Sequence, residues 1–198
     1  MGLNETFLAV VASNCDFLCS RFGAVRESAS EMWLARVWFR AADFEVELSY
    51  GDRELYVGTI VRRRLKGHSE VSSYALWEWL DAFDIPDGHV DASGVNTQAG
   101  LNLAVSRAAH LLGLHLSTIL AAGPHVILRI EAAREARSQA EREANAKSEH
   151  SSAAAHAAEA FRAGDFNKVI GLLEPFASRL SPSEKKKLQI ARRRVGGP

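Results

Sequence analysis

A chain of 198 residues is long enough for one domain with an appendage or for two small domains. Its 24 basic and 24 acidic residues cancel, which argues against a surface that coats nucleic acid throughout and leaves room for a local basic patch. Hydrophobic residues at 47% exclude wholesale disorder, and two cysteines are too few for a disulfide framework.

The first predicted element is one amphipathic helix from Asn4 to Arg21. Phe7, Leu8, Val11, Cys15, Leu18, Cys19 and Phe22 recur at 3–4 residue spacing, and Gly23 stops the run. Strand signals follow at Ala24–Ser28, Trp33–Arg40 and Phe44–Tyr50. In the last of these Phe44, Val46, Leu48 and Tyr50 alternate with Glu45, Glu47 and Ser49, so one face is buried and one is wet. Gly51-Asp52 reads as a two-residue hairpin turn that pairs Tyr50 with Arg53, Leu48 with Leu55 and Val46 with Val57. The return strand reaches Arg62.

A helix is predicted over Ser73–Phe83, with Ser72 or Ser73 as its cap and Leu76, Trp77, Leu80 and Phe83 toward the core. After a loop at 84–96, Thr97–Leu112 reads as a buried helix that Gly113 and Gly123-Pro124 break into pieces. Pro124 to His150 has a different character. No large apolar residue occurs between Ile130 and Phe161, and Arg129 to Glu149 carries five basic and five acidic residues. Such a helix has little to bury and reads as a strut. Ala153–Ala163, Phe166–Leu173 and a helix opened by Ser181-Pro182 complete the chain. The expected organisation is α+β: a small antiparallel sheet of three to four strands flanked by helices over 1–123, a charged connecting helix over 124–150, and a helical part over 151–198.

Ala160 to Pro175, AFRAGDFNKVIGLLEP, resembles the helix–turn–helix of a tetratricopeptide repeat, with Gly164-Asp165-Phe166 at the turn. It departs from that pattern at Val169, where the family prefers Ala, and at His156, where a Leu is usual. The resemblance implies a surface for protein partners, and a single unit must pack on something else. FEVELSYGDRELYVG, SSYALWEWL and the ending GDFNKVIGLLEP…LSPSEKKKLQIARRR also resemble small bacterial proteins, some of which are immunity proteins or accessory parts of defence and toxin systems. That resemblance implies a non-enzymatic, protein-binding role and transfers no site residues.

The chain carries no phosphate-cradling glycine loop, no HExxH, no GxSxG and no CxxC. Asp81, Asp84, Asp87 and Asp91 form an acidic loop. If Gly88 held the sixth position of an EF-hand, Phe83 and Ile85 would occupy ligand positions, so that pattern fails. His110 or His115 as a general base lacks a nucleophile at a recognisable spacing. Cys15 as a nucleophile has only apolar neighbours, so Cys15 and Cys19 read as core thiols. No catalytic residue, metal or cofactor is expected.

Two surfaces remain. Strand parity puts Arg36, Trp38 and Arg40 on one side of the sheet with Glu45, Glu47, Tyr56 and Ile60, an aromatic set framed by charge of the kind interfaces favour. With Phe166, these residues are the expected contacts of a protein partner. The alternative is nucleic acid, held by Arg62, Arg63, Arg64 and Lys66 and by Lys185, Lys186, Lys187, Arg192, Arg193 and Arg194. The start lacks a basic signal-peptide region, and Arg107, His110 and His115 interrupt the most apolar stretch, Leu101–Leu120. A cytoplasmic protein without a membrane span is therefore expected.

Overall fold

The alternating segment FEVELSYG becomes β3 (Phe44–Gly51), the central strand of a five-stranded antiparallel sheet. The structure, a computed structural model, describes residues 2–51, 53, 55–64, 71–86 and 94–196. The sheet runs in sequence order through β1 (Val25–Glu31), β2 (Leu34–Arg40), β3, β4 (Tyr56–Arg64) and β5 (Val71–Ala75). The helices are α1 (Leu3–Asn14), α2 (Asp16–Phe22), α3 (Leu76–Ala82), α4 (Gln98–Ala121), α5 (Pro124–Arg162), α6 (Phe166–Leu173) and α7 (Pro182–Gly196), with a short 3₁₀ turn at Glu174–Phe176. The chain is thus α+β. It divides into two compact units, residues 1–132 and 133–198.

In the first unit the sheet has a core face and an outer face. Ala35, Val37 and Phe39 on β2, Phe44, Val46, Leu48 and Tyr50 on β3, and Val57, Thr59 and Val61 on β4 are buried together. Phe7 and Val11 of α1, Leu76, Trp79 and Leu80 of α3, and Leu101, Val105, Leu112, Leu116 and Ile119 of α4 close that core. Burial of each large side chain contributes about 1.5–3 kcal/mol. α4 is the one helix among the described residues long and apolar enough to cross a bilayer. Its leucine and isoleucine stripe faces this core, although Leu103 and Leu114 are exposed.

Several boundaries differ from the sequence reading. The hairpin register lies four residues later, with Tyr50 opposite Val57, Leu48 opposite Thr59 and Val46 opposite Val61. Asp52 lies outside the described residues, while Leu55 takes φ 50° and offers its carbonyl to the Val95 N–H (2.8 Å). That anchor makes the connection longer than Gly51-Asp52. Because the shift is even, every side chain keeps its face. The single helix expected over Asn4–Arg21 breaks at Cys15. Asn14 turns its amide onto the Val10 carbonyl (2.9 Å) and accepts from Ser106 (3.1 Å), side-chain bonds that compete with the helix ladder.

Ser72 and Ser73 cap nothing. They sit in β5 opposite Arg63 and Arg62, a fifth strand beyond the three or four expected. α3 begins at Leu76, where the Glu78 carboxylate accepts the Ala75 N–H (2.9 Å). Gly113 does not interrupt α4. A single glycine costs about 1 kcal/mol against alanine, and the buried residues on both sides of it outweigh that.

In the second unit, α5 continues through residues 151–162, because Ser151-Ser152-Ala153-Ala154-Ala155 contains no glycine or proline to end it. It stops at Gly164 (φ 76°). Asp165 then caps α6, its carboxylate accepting the Lys168 N–H (3.1 Å). Ala157, Ala160, Val169, Leu173, Leu180, Leu188 and Ala191 form a separate small core.

Candidate protein interface on the outer sheet face

Antiparallel partners opposite one another share a face, so the register fixes which side chains project outward. Arg36 lies opposite Ser49, Trp38 opposite Glu47, and Arg40 opposite Glu45. Glu47 in turn faces Ile60, Glu45 faces Arg62, and Gly51 faces Tyr56. Arg36, Trp38, Arg40, Tyr56 and Ile60 therefore stand on one surface, opposite the helices α1, α3 and α4. Trp38, Tyr56 and Ile60 are half-buried, while Arg36 and Arg40 are exposed.

The charges on this face form a ladder across four strands. Arg40 bonds Glu27 on β1 and, through Nε, Glu45 on β3 (2.5 Å). Arg62 on β4 donates to Glu45 (2.5 Å) and to Glu47 (2.7 Å), and Arg36 lies 3.7 Å from Glu47. The Arg40 guanidinium also sits 5.4 Å from the Trp38 ring centre. Burial works against the charges of Glu45 and Arg62, yet the pairing prevails. Glu45 is held below the ordinary carboxylate range, and Arg62 is held above its usual value. Arg40 is also raised, chiefly by its bond to Glu45. A depressed carboxylate contributes stability above its unfolded pKa and loses it as pH falls through the folded value. Acidification below the usual carboxylate range is thus expected to loosen the face before the core. In a pH titration followed by NMR, Glu45→Gln removes the Trp38 indole shift that wild type shows in that window.

Tyr56 is placed by a glycine. A Cβ on Gly58 would stand 2.8 Å from Tyr56 Cε1 and 3.3 Å from Ser49 Oγ, so the ring lies across the bare backbone of Gly58. Gly58→Ala is expected to lift the ring outward at little cost to folding, because the clashing atom belongs to a side chain that moves. Increased quenching of tyrosine fluorescence at an unchanged urea midpoint checks this.

Sequence reasoning missed the contribution of Glu27 and the turn pair Met32-Trp33. Met32 is 76% exposed and Trp33 46%, with Arg53 stacked 4.5 Å from the Trp33 ring centre. Two large apolar residues in a turn, where polar residues are usual, were the available signal.

Other candidates are placed elsewhere. Phe166 lies in the second unit, half-buried and edge-on to Phe161 (5.8 Å), whereas the sheet-face residues lie in the first. The Arg62-Arg63-Arg64 run is divided by strand parity. Arg62 is engaged in the ladder, Arg64 is exposed, and Arg63 is buried on the core face with Val61. Its guanidinium donates to the Ile119 carbonyl and to that of Ala122 (2.6 Å), so Arg63 is structural and unavailable to nucleic acid. Lys66 lies outside the described residues.

Lys185, Lys186, Lys187, Arg192, Arg193 and Arg194 all lie on α7, and Arg192 donates to Glu174 (2.6 Å). His110 is exposed and His115 half-buried on α4. Burial, with Cys19 nearby, pushes the Cys15 thiol up to about 12, which keeps it protonated and unreactive at neutral pH. Asp84 pairs with Arg129 (3.0 Å), whereas Asp87, Gly88 and Asp91 lie outside the described residues. Among the described residues no group of three His, Cys, Asp or Glu side chains is placed to hold a metal ion.

Comparison with known protein families, curated proteins and solved structures finds no match to this chain.

Proposed function

We propose that the chain is a non-enzymatic protein-binding subunit, of the accessory or immunity type found in bacterial defence and toxin systems, working in the cytoplasm. Its partner docks on the outer sheet face. One observation carries this reading: half-buried Trp38, Tyr56 and Ile60 stand on a rigid sheet, and the charges around them are already paired. Amphipathic rings on a rigid support lose little conformational entropy on binding. A pre-paired ladder fixes the orientation of charged groups before the partner arrives. The mechanism is occlusion or scaffolding, with no bond made or broken. The resemblance of the hairpin, the α3 segment and the C-terminal segment to small bacterial immunity and accessory proteins supports the same class.

The test uses the chain as bait in cells expressing its neighbouring genes. Wild type and a Lys168→Ala control are expected to retain a protein that Trp38→Ser and Tyr56→Ser both release. Equal capture by all four chains, or capture of nothing, overturns the reading.

The second reading, nucleic-acid binding through α7, draws on the charge of the second unit. Residues 133–198 hold 13 basic and 8 acidic residues. It requires affinity for a nucleic acid that falls steeply with salt and disappears on replacing Lys185–Lys187 and Arg192–Arg194.

A further inference from the structure

The zero net charge of the chain is a cancellation between unlike parts. Residues 1–132 hold 11 basic and 16 acidic residues, the reverse of the imbalance in residues 133–198. Seven basic residues and one acid fall between Arg179 and Arg194.

The second unit folds part of this surplus around a groove of about 610 Å³. Buried Leu180 and Leu188 line it with Ala177, and Lys185, Arg192 and Arg193 stand along it. At about 100° per residue, Lys185 and Arg192 share one flank of α7, with Arg193 beside them. Lys187 and Arg194 project from the opposite flank. The side chains of Lys185 and Arg193 make no hydrogen bond or ion pair among the described residues. Arg192 already holds a carboxylate, that of Glu174 at 2.6 Å. The groove thus combines an apolar lining, one occupied carboxylate position and two unpaired cations.

We propose that this groove takes an acidic segment of a partner protein, with an apolar side chain against Leu180 and Leu188 and carboxylates on Lys185 and Arg193. The site is separate from the sheet face and does not depend on it. Charge complementarity selects an anion, and the lining selects its class. Among the described residues no aromatic ring lines the groove to stack on a base, whereas two leucines suit an aliphatic side chain.

Fluorescence anisotropy with the full chain tests the proposal. The probes are a labelled peptide alternating glutamate and leucine, its glutamine-for-glutamate counterpart and an oligothymidylate of equal charge. The acidic peptide is expected to bind at least about tenfold tighter than both others, about 1.4 kcal/mol. Lys185→Glu with Arg193→Glu is expected to abolish that binding, while Lys187→Glu with Arg194→Glu and Trp38→Ser preserve it. Lys185→Gln with Arg193→Gln gives the same loss without reversing charge, and circular dichroism confirms that each chain folds. Tighter binding of the oligothymidylate, equal losses from both pairs of charge reversals, or no binding of the acidic peptide overturns the proposal. Because Trp38→Ser reports on the sheet face alone, failure here leaves the sheet-face reading standing.

Discussion

Trp79→Ala is expected to be the most damaging single truncation in the chain. Trp79 is the largest of the fully buried side chains, and it joins α3 to the sheet. Its ring meets that of Tyr74 edge-on (5.4 Å, 81°), its Nε1 donates to the Val61 carbonyl (3.3 Å), and Arg63 lies 5.8 Å from the ring centre. Removal leaves a cavity that β4 and β5 cannot fill without giving up their register. Large-to-alanine changes of buried aromatics cost about 3–5 kcal/mol, and the upper part of that range is expected here because a hydrogen bond is lost as well. Such a loss is comparable to the whole stability of a marginal domain, about 5–15 kcal/mol. Urea denaturation followed by far-UV circular dichroism measures it. Trp79→Phe, which keeps a ring and loses the donor, is expected to fall near the middle of the range between wild type and Trp79→Ala. A cost below about 1 kcal/mol for Trp79→Ala would mean that α3 does not anchor on β4 and β5.

The strands that carry period-two alternation were the most legible part of the fold. β3 announces itself through Phe44, Val46, Leu48 and Tyr50, and only one face assignment buries all four. Face assignment also survived an incorrect turn, since a register shift of an even number of residues moves partners without exchanging faces. What determines the true turn is remote in sequence. The Val95 N–H bonds Leu55, and the Tyr50 hydroxyl donates to the Val95 carbonyl (3.2 Å), forty residues and more from the hairpin. β5 was hidden for a related reason. Val71-Ser72-Ser73-Tyr74-Ala75 has weak strand composition and directly precedes a strong helix signal, so its pairing with β4 supplies the order that propensity does not. α4 shows tertiary packing overriding a local breaker at Gly113.

The outer face was legible from the same alternation, because residues two apart on neighbouring strands necessarily share a side. The ladder was not. Glu27 sits on β1, a strand exposed along its whole length and without an alternating apolar face, so nothing local reveals that it completes the chain of charges through Arg40. For Phe166 the sequence shows only an aromatic after a turn, and the structure adds that it is half-buried against Phe161, one helix away. A basic run is equally ambiguous by composition. Parity sends Arg62 and Arg64 outward and Arg63 inward, and only the helix end behind the sheet explains why an inward arginine is tolerated.

That inward arginine carries the second large effect. Arg63 is 6% exposed, and burial lowers its pKa while Asp43 opposes the shift. Its guanidinium reaches two carbonyls at the C-terminal end of α4, that of Ile119, which also accepts the Ala122 N–H (3.2 Å), and that of the cap residue Ala122. A cation at this end also opposes the helix dipole favourably. Arg63→Ala removes a charged donor from both carbonyls inside the core, leaving Ile119 only its bond from the Ala122 N–H, and removes the cation beside Trp79, so a loss of about 3 kcal/mol is expected. Arg63→Lys restores charge and cannot span both oxygens, so it is expected to recover less than half of that loss. Arg62→Ala, on the solvent side of the same strand, is expected to cost no more than about 1 kcal/mol, the range of surface ion pairs. Urea midpoints of the three variants rank them. Hydrogen exchange at the C-terminal turn of α4 locates the damage, speeding in Arg63→Ala and unchanged in Arg62→Ala. If Arg62→Ala proves as costly as Arg63→Ala, the stabilising role belongs to the ladder rather than to the helix end.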